Sequence, residues 1–293
     1  MNQNDILITF ASWEERFTLG FEKNLAIYRP RQVLLYYLDR YTDWTEAARE
    51  AAAAACEAGN MQVTQKKLSV DDAAQNWKSI GETIDAIAGQ ESRVVVDMTT
   101  MPRESIWMIL WFLDLNAGNV SYVYHRALRH AKDWLSRDPQ KPRLVFKMSG
   151  TPRLGAKTLL VVLAGFDPER TAQLMGFFEP SVTLLGLQTT NTDPDNDRRM
   201  KEHAERFGSE ASVEFFKVDA YGKDHGQEAI EAILASRRGT YNVVMSSLGP
   251  KPTAITLYRI QRGNREFALA YAPSSEFNRE YSSGIGECIS GDL

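Results

Sequence analysis

The chain alternates strand-like and helix-like runs in strict order, and it does so twice. In the first series the apolar spacing predicts strands at 6–10, 33–38, 61–68, 93–98 and 119–124. Helices are expected over 13–26, 43–58 and 71–88, and again from Pro102, because proline favours a first helical turn. In the second series the strands fall at 159–163, 182–187, 213–218, 242–245 and 266–271, and the helices over 168–178, 195–207, 227–238 and 252–260. Val33-Leu34-Leu35-Tyr36-Tyr37-Leu38 is apolar throughout, as strands buried on both faces are. The Ala-rich run 43–58 has acidic residues early and Gly59 as its stop. Such alternation points to an α/β fold, with a mostly parallel sheet and helices on both faces in each half.

Short stretches also echo one another in matching order. Ile6–Phe10 leads into Ala11-Ser12-Trp13-Glu14-Glu15-Arg16, and Leu159–Leu163 leads into Ala164-Gly165-Phe166-Asp167-Pro168-Glu169-Arg170. Val96-Asp97-Met98-Thr99-Thr100-Met101-Pro102-Arg103 is echoed by Val244-Met245-Ser246-Ser247-Leu248-Gly249-Pro250-Lys251. Tyr124 and Trp134 stand beside Tyr271 and Tyr281, each pair with the same spacing. Three echoes in the same order argue for two copies of one fold in one chain. The Pro- and Gly-containing stretch 138–157 separates a first domain, 1–137, from a second, 158–293.

Composition narrows the function. A net charge of -4 argues against a general nucleic-acid coating protein, which would show a basic excess. Cys56 and Cys288 form neither a disulfide framework nor a zinc pattern. No signal peptide precedes the first strand, and the apolar stretch near Ile106–Leu115 is too short to span a bilayer, so a cytoplasmic protein with no membrane partner is expected. Neither a P-loop, a Gly-x-Ser-x-Gly elbow nor a Gly-x-Gly-x-x-Gly turn is present, and no cofactor or metal is expected.

In open α/β sheets, ligands bind beyond the carboxyl ends of the strands where the strand order reverses. The echoed segments lie in those strand-to-helix turns. Thr99, Thr100 and Arg103 offer two hydroxyls and a guanidinium at a helix start; Ser246, Ser247, Gly249 and Lys251 offer two hydroxyls, a flexible glycine and an ammonium. Backbone donors and partial positive charge at a helix N-terminus, joined by a cation, suit a phosphate or another anion. Taken singly, either turn reads equally well as a capped helix start with a solvated basic residue; their recurrence favours an anion or nucleotide pocket.

At these turns the sequence resembles CARF-type Rossmann-like sensors and the related SAVED domains, which detect cyclic oligonucleotides in prokaryotic antiviral defence. The glycine pair of the family's Thr-Gly-Gly-Thr-Lys turn is missing from the first copy, only Gly249 stands in the second, and Pro102 and Pro250 are departures. The resemblance implies two tandem Rossmann-like domains forming a pseudo-dimer, with a nucleotide-type ligand between them. It implies ligand contacts at Ser12, Trp13, Gly165 and Phe166 after the first strands, with Thr99, Thr100, Arg103, Ser246, Ser247, Gly249 and Lys251 at the basic turns. Trp13 and Phe166 are candidates to stack on a base, although aromatic packing onto the sheet is the plainer reading of both.

The leading expectation is therefore a non-catalytic sensor or recognition subunit that acts through a separately encoded effector. One alternative is a metal-independent phosphodiesterase like the ring nucleases, in which Ser12, Ser246 and Lys251 would position the ligand's own 2′-hydroxyl for attack. Another is a scaffold subunit of a defence complex. Glu14 and Asp167 are expected to serve helix starts, with Arg16 and Arg170 as ion-pair partners, and His125 and His130 to be solvated. His203 and His225 have no matched partners in sequence. Asp193, Asp195 and Asp197 resemble a calcium-loop fragment without its later glycine and glutamate, and read better as a helix cap. The run Tyr281–Gly286 reads as a small loop over the pocket or a polar tail.

Overall fold

The computed structural model describes residues 6–87, 89, 91–189 and 196–293, so the Asn191–Asp195 part of the calcium-like segment lies outside it. Two units share the chain: residues up to Ala131 with Arg279–Leu293, and Lys132–Asn278.

The first unit runs β1 (Ile6–Phe10), α1 (Glu15–Tyr28), β2 (Gln32–Leu38), α2 (Thr42–Ala58), β3 (Gln62–Leu68), α3 (Ala73–Ile87), β4 (Arg93–Asp97), α4 (Arg103–Asn116) and β5 (Asn119–His130). A short 3-10 turn, Asp39–Tyr41, joins β2 to α2. The second unit begins with β6 (Ser136–Pro139) and β7 (Arg143–Leu144). It continues through β8 (Lys157–Leu163), α5 (Pro168–Phe178), β9 (Val182–Gln188), α6 (Asn196–Phe207), β10 (Val213–Val218), α7 (Gln227–Ala235), β11 (Tyr241–Ser247), α8 (Pro252–Gly263), β12 (Ala268–Tyr271) and β13 (Ser274–Phe277). The chain then returns to the first unit as β14 (Ser282–Asp292).

Each unit is a Rossmann-like α/β layer structure, and the two sheets have the same plan. The first has the order β14-β5-β4-β1-β2-β3 and the second, read from its other edge, β7-β12-β11-β8-β9-β10. In both, the five strands of the repeated series are parallel and one antiparallel strand covers the outer side of the fifth. The strand order reverses between β1 and β4, and between β8 and β11, which sets a crevice at the carboxyl end of each pair. Val33, Leu34, Leu35 and Tyr36 are fully enclosed, as the unbroken apolar run requires. Phe17 and Phe21 of α1 pack onto β1 and β2 in one core, while Leu174 of α5 and Phe207 of α6 pack onto β8 and β9 in another.

Helix ends follow local chemistry. Asp167 caps α5 by accepting from the Glu169 N–H at 2.9 Å, and Pro168 takes the first helical position. The Gly59 N–H closes α2 on the Ala55 carbonyl at 3.2 Å.

Three sequence expectations change. The stretch read as a linker, 138–157, contains the end of β6 and all of β7 within the second unit. The run read as a loop or tail, Tyr281–Gly286, enters β14, whose Ser282 stands opposite His130 and whose Asp292 stands opposite Ser121. Pairing with the open edge of β5 makes it a strand despite its glycines, because β5 would otherwise leave a long row of backbone donors and acceptors unpaired. The units also differ from the domain limits 1–137 and 158–293, since Arg279–Leu293 joins the first unit.

The echo of the central turns slips by one residue. Phe10 and Leu163 both end a first strand before an alanine, and Arg103 and Pro252 both begin the helix after the fourth strand. Pairing of Ile8 with Val96 and of Val161 with Met245 then sets Asp97 in the place of Ser246, Thr100 in that of Gly249, and Pro102 in that of Lys251. Matching Pro-Arg to Pro-Lys misaligned the two halves, because strand register and helix start override a two-residue likeness. Tyr124 and Tyr271 do correspond, through the pairing of Asp97 with Val123 and Met245 with Leu269.

Candidate functional site

In the first unit a network of buried polar groups holds the β4–α4 turn. The Asp97 carboxylate, 2% exposed, accepts from the Thr9 hydroxyl at 3.2 Å, the Asn24 amide at 2.9 Å and the Thr99 N–H at 2.9 Å. His125 Nε2 meets Asn24 Oδ1 at 2.9 Å, and the His125 backbone N–H donates to Thr99 Oγ1 at 3.0 Å. Burying a carboxylate demands such donors, so Thr9, Asn24 and Thr99 are positioning residues for the turn. His125 was expected in solvent; it is 1% exposed. Burial holds its pKa below the ordinary histidine value, with Lys23 and Arg16 adding to the effect and Asp97 opposing it.

Thr100 Oγ1 donates to the Phe10 carbonyl at 2.6 Å and so ties this turn to the end of β1. Arg103 is the first residue of α4 and is half-buried. Ser12, 6% exposed, accepts from the Glu14 N–H at 3.2 Å. Glu14 and Arg16 form the ion pair expected from the sequence, at 2.8 Å and almost fully enclosed. Burial opposes the charge on Arg16, yet the adjacent Glu14 holds its pKa above the ordinary value. Arg16 also reaches the Tyr124 hydroxyl and the His125 carbonyl, while Ser282 of β14 bonds to Glu14, and the Gly284 N–H donates to Glu15 at 2.8 Å. The start of α1 is thereby tied to both β5 and β14.

The second unit solves the same corner with backbone. The N–H groups of Leu248 and Gly249 donate to the Leu163 carbonyl at 2.9 and 3.0 Å, the place that Thr100 fills for Phe10. Gly165 and Gly249 are required by close approach: a Cβ on Gly165 would stand 2.1 Å from the Leu248 carbonyl oxygen, and one on Gly249 2.7 Å from that of Ala164. Ser247 bonds to Thr253 Oγ1 at 2.8 Å, and Thr253 in turn donates to the Pro250 carbonyl. Ser246 is 1% exposed and its hydroxyl has no hydrogen-bond partner. Lys251 occupies the position before α8, where its side chain makes no cap hydrogen bond, and is half-buried. The Phe166 ring is covered by the Arg199 guanidinium, 3.0 Å from the ring centroid. Asp167 serves as a helix cap, as expected, while Arg170 donates to the Ala272 carbonyl.

The structure therefore brings Ser12, Trp13, Thr99, Thr100 and Arg103 to the carboxyl edge of the first sheet. It brings Gly165, Phe166, Ser246, Ser247, Gly249 and Lys251 to that of the second. The hydroxyl donors of Thr100 and Ser247 are committed to the fold, so an anion at either turn would meet backbone donors and a cation rather than a row of hydroxyls. A cavity of about 580 Å³ in the second unit lies towards the opposite edge, lined by Met175, Thr183, Arg206 and Phe207 among others, and it contains none of these residues. Among the described residues, no cluster of three or more His, Cys, Asp or Glu side chains is placed to hold a metal, and no helix is long and apolar enough to cross a membrane.

No family model and no curated protein matches the chain. Among solved structures it is similar to a Type III CRISPR defence DNA nuclease activated by cyclic oligoadenylate, with a TM-score of 0.57 and 10% identity, over 87% of this chain and 63% of that one. Can2 from Sulfobacillus thermosulfidooxidans in complex with cyclic tetra-adenylate matches at 11% identity over 41% of this chain and 30% of that one, with a TM-score of 0.31. The cytoplasmic domain of a prokaryotic cation chloride cotransporter matches at 10% identity over 93% and 96%, with a TM-score of 0.29. The first of these likenesses establishes a shared fold; the chain spans less than two thirds of that nuclease.

Proposed function

We propose that this protein is a CARF-like sensor or recognition subunit of prokaryotic antiviral defence, which binds a cyclic oligonucleotide or another nucleotide-type anion and acts through a separately encoded effector. The observation that supports it most is the recurrence of a half-buried cation, Arg103 or Lys251, at the start of the helix that leaves the switch-point strand in each unit. A helix N-terminus with an added cation favours phosphate, and a guanidinium grips it in two-point fashion where an ammonium acts as a point charge. The fold shared with a nuclease activated by cyclic oligoadenylate supports the same ligand class. The Thr99–Thr100 turn is held in place by its bonds to Asp97, His125 and Phe10, which supports a recognition edge that is formed before ligand arrives.

Calorimetric titration with cyclic tetra-adenylate tests this reading. Wild-type protein binds, and Arg103→Ala and Lys251→Ala each weaken binding by about ten-fold or more, as loss of a charge-assisted contact of ~1.5–3 kcal/mol implies. Absence of binding to any cyclic oligonucleotide, or affinity indifferent to both changes, overturns it. The ring-nuclease-like phosphodiesterase is kept as a second reading by one feature, the buried Ser246 hydroxyl without a partner. Chromatography of the ligand after hours of incubation separates the two: the sensor leaves it intact, whereas the enzyme linearises it.

A further inference from the structure

Three aromatic rings with no shared signature in the sequence meet at the carboxyl edge of the first sheet. Trp13 follows β1, Tyr41 closes the turn after β2, and Trp44 stands in the first turn of α2. Their centroids are 5.0 Å apart for Trp13–Tyr41, 5.0 Å for Trp13–Trp44 and 5.2 Å for Tyr41–Trp44. Trp13 meets Trp44 edge-on, at an interplanar angle of 89°. Tyr41 is buried, whereas Trp13 and Trp44 are partly exposed. The exposed Arg279 lays its guanidinium over the Trp44 indole, 4.4 Å from the ring centroid.

We infer that Trp44 and Arg279 form a clamp for a purine base, an inference that rests on the nucleotide reading of this edge and names the part of the ligand held there. Two neighbouring rings fix the orientation of the indole, so the surface offered to a base is set in advance. A guanidinium stacks on a base as readily as on an indole, so a base entering between them keeps a planar partner on each side. Arg279 is also the residue at which the chain re-enters the first unit, a few positions before Ser282 and Gly284 bond to Glu14 and Glu15. The arm of the clamp is thus anchored beside the β1–α1 turn that bears Ser12 and Trp13. Trp44 was invisible as a site residue because it sits in a helix whose alanine-rich pattern explains it as packing.

Tryptophan fluorescence and calorimetry with cyclic tetra-adenylate test the clamp on the full chain. Wild type binds with quenched emission, Trp44→Leu and Arg279→Ala bind about ten-fold or more weakly, and Trp44→Phe, which keeps a stacking face, stays close to wild type. Arg279 lies on the surface, so its variant folds and remains informative even where Trp44→Leu loosens α2. Unchanged affinity in Trp44→Leu and Arg279→Ala, with Arg103→Ala still weakened, overturns the clamp and leaves the nucleotide reading standing. No binding by wild type overturns both.

Discussion

At the residue scale, the two units hold the turn after the switch-point strand with different chemistry. Thr9, Asn24, Asp97, Thr99 and His125 form one network, whereas Ser246, which takes the place of Asp97, has no partner. The enclosed Glu14–Arg16 pair allows a direct prediction. Glu14→Gln leaves the Arg16 charge buried without its counter-ion and costs about 3–5 kcal/mol in urea denaturation. A loss under about 1 kcal/mol would show that solvent screens the pair. A second prediction concerns pH. His125, His203 and His225 are each buried, and in each case burial lowers the pKa from its ordinary 6.5. Above pH 6.5 both folded and unfolded chains hold these rings neutral. As pH falls below 6.5 the unfolded chain takes up protons first, so stability drops, by up to about 1.4 kcal/mol per pH unit for each ring. Denaturation midpoints should therefore be lower at pH 5.5 than at 7.5, and an equal or higher midpoint at 5.5 contradicts the account. Little of this was legible in the sequence: the partners of Asp97 and His125 lie 88, 73 and 101 positions apart, and no local pattern announces them.

At the scale of elements, periodicity and caps located the strands and helices of both repeated series to within about three residues, except β5, which runs on to His130 where the expected strand ended at Tyr124. β14 escaped, since Ser282, Ser283, Gly284 and Gly286 favour a turn locally and only the edge of β5 makes them a strand. Removing residues 282–293 should uncover that edge and yield a protein that aggregates on size-exclusion chromatography. A monodisperse, equally stable truncation would mean that β14 contributes nothing to the first sheet. In the second unit, Gly165→Ala drives a methyl into the Leu248 carbonyl and should cost about 1–3 kcal/mol. Ala at Gly176, where an added Cβ meets nothing within 4 Å, serves as the control and should be neutral or slightly stabilising.

At the scale of the molecule, two sheets of one strand order occupy a single chain, and each ends its switch-point strand in a turn with a cation at the following helix start. The recurrence was visible from the sequence because strand–helix alternation survives when individual residues diverge. The phase between the two halves was not visible, because Pro-Arg and Pro-Lys imitate each other one position out of register. Arg103 is consequently the first residue of α4, whereas Lys251 stands one position before α8 begins. Backbone hydrogen exchange with and without cyclic tetra-adenylate tests the central claim most directly. Slower exchange at 97–106 and 246–254 is the predicted result, and unchanged exchange at both turns, or protection only elsewhere, contradicts it.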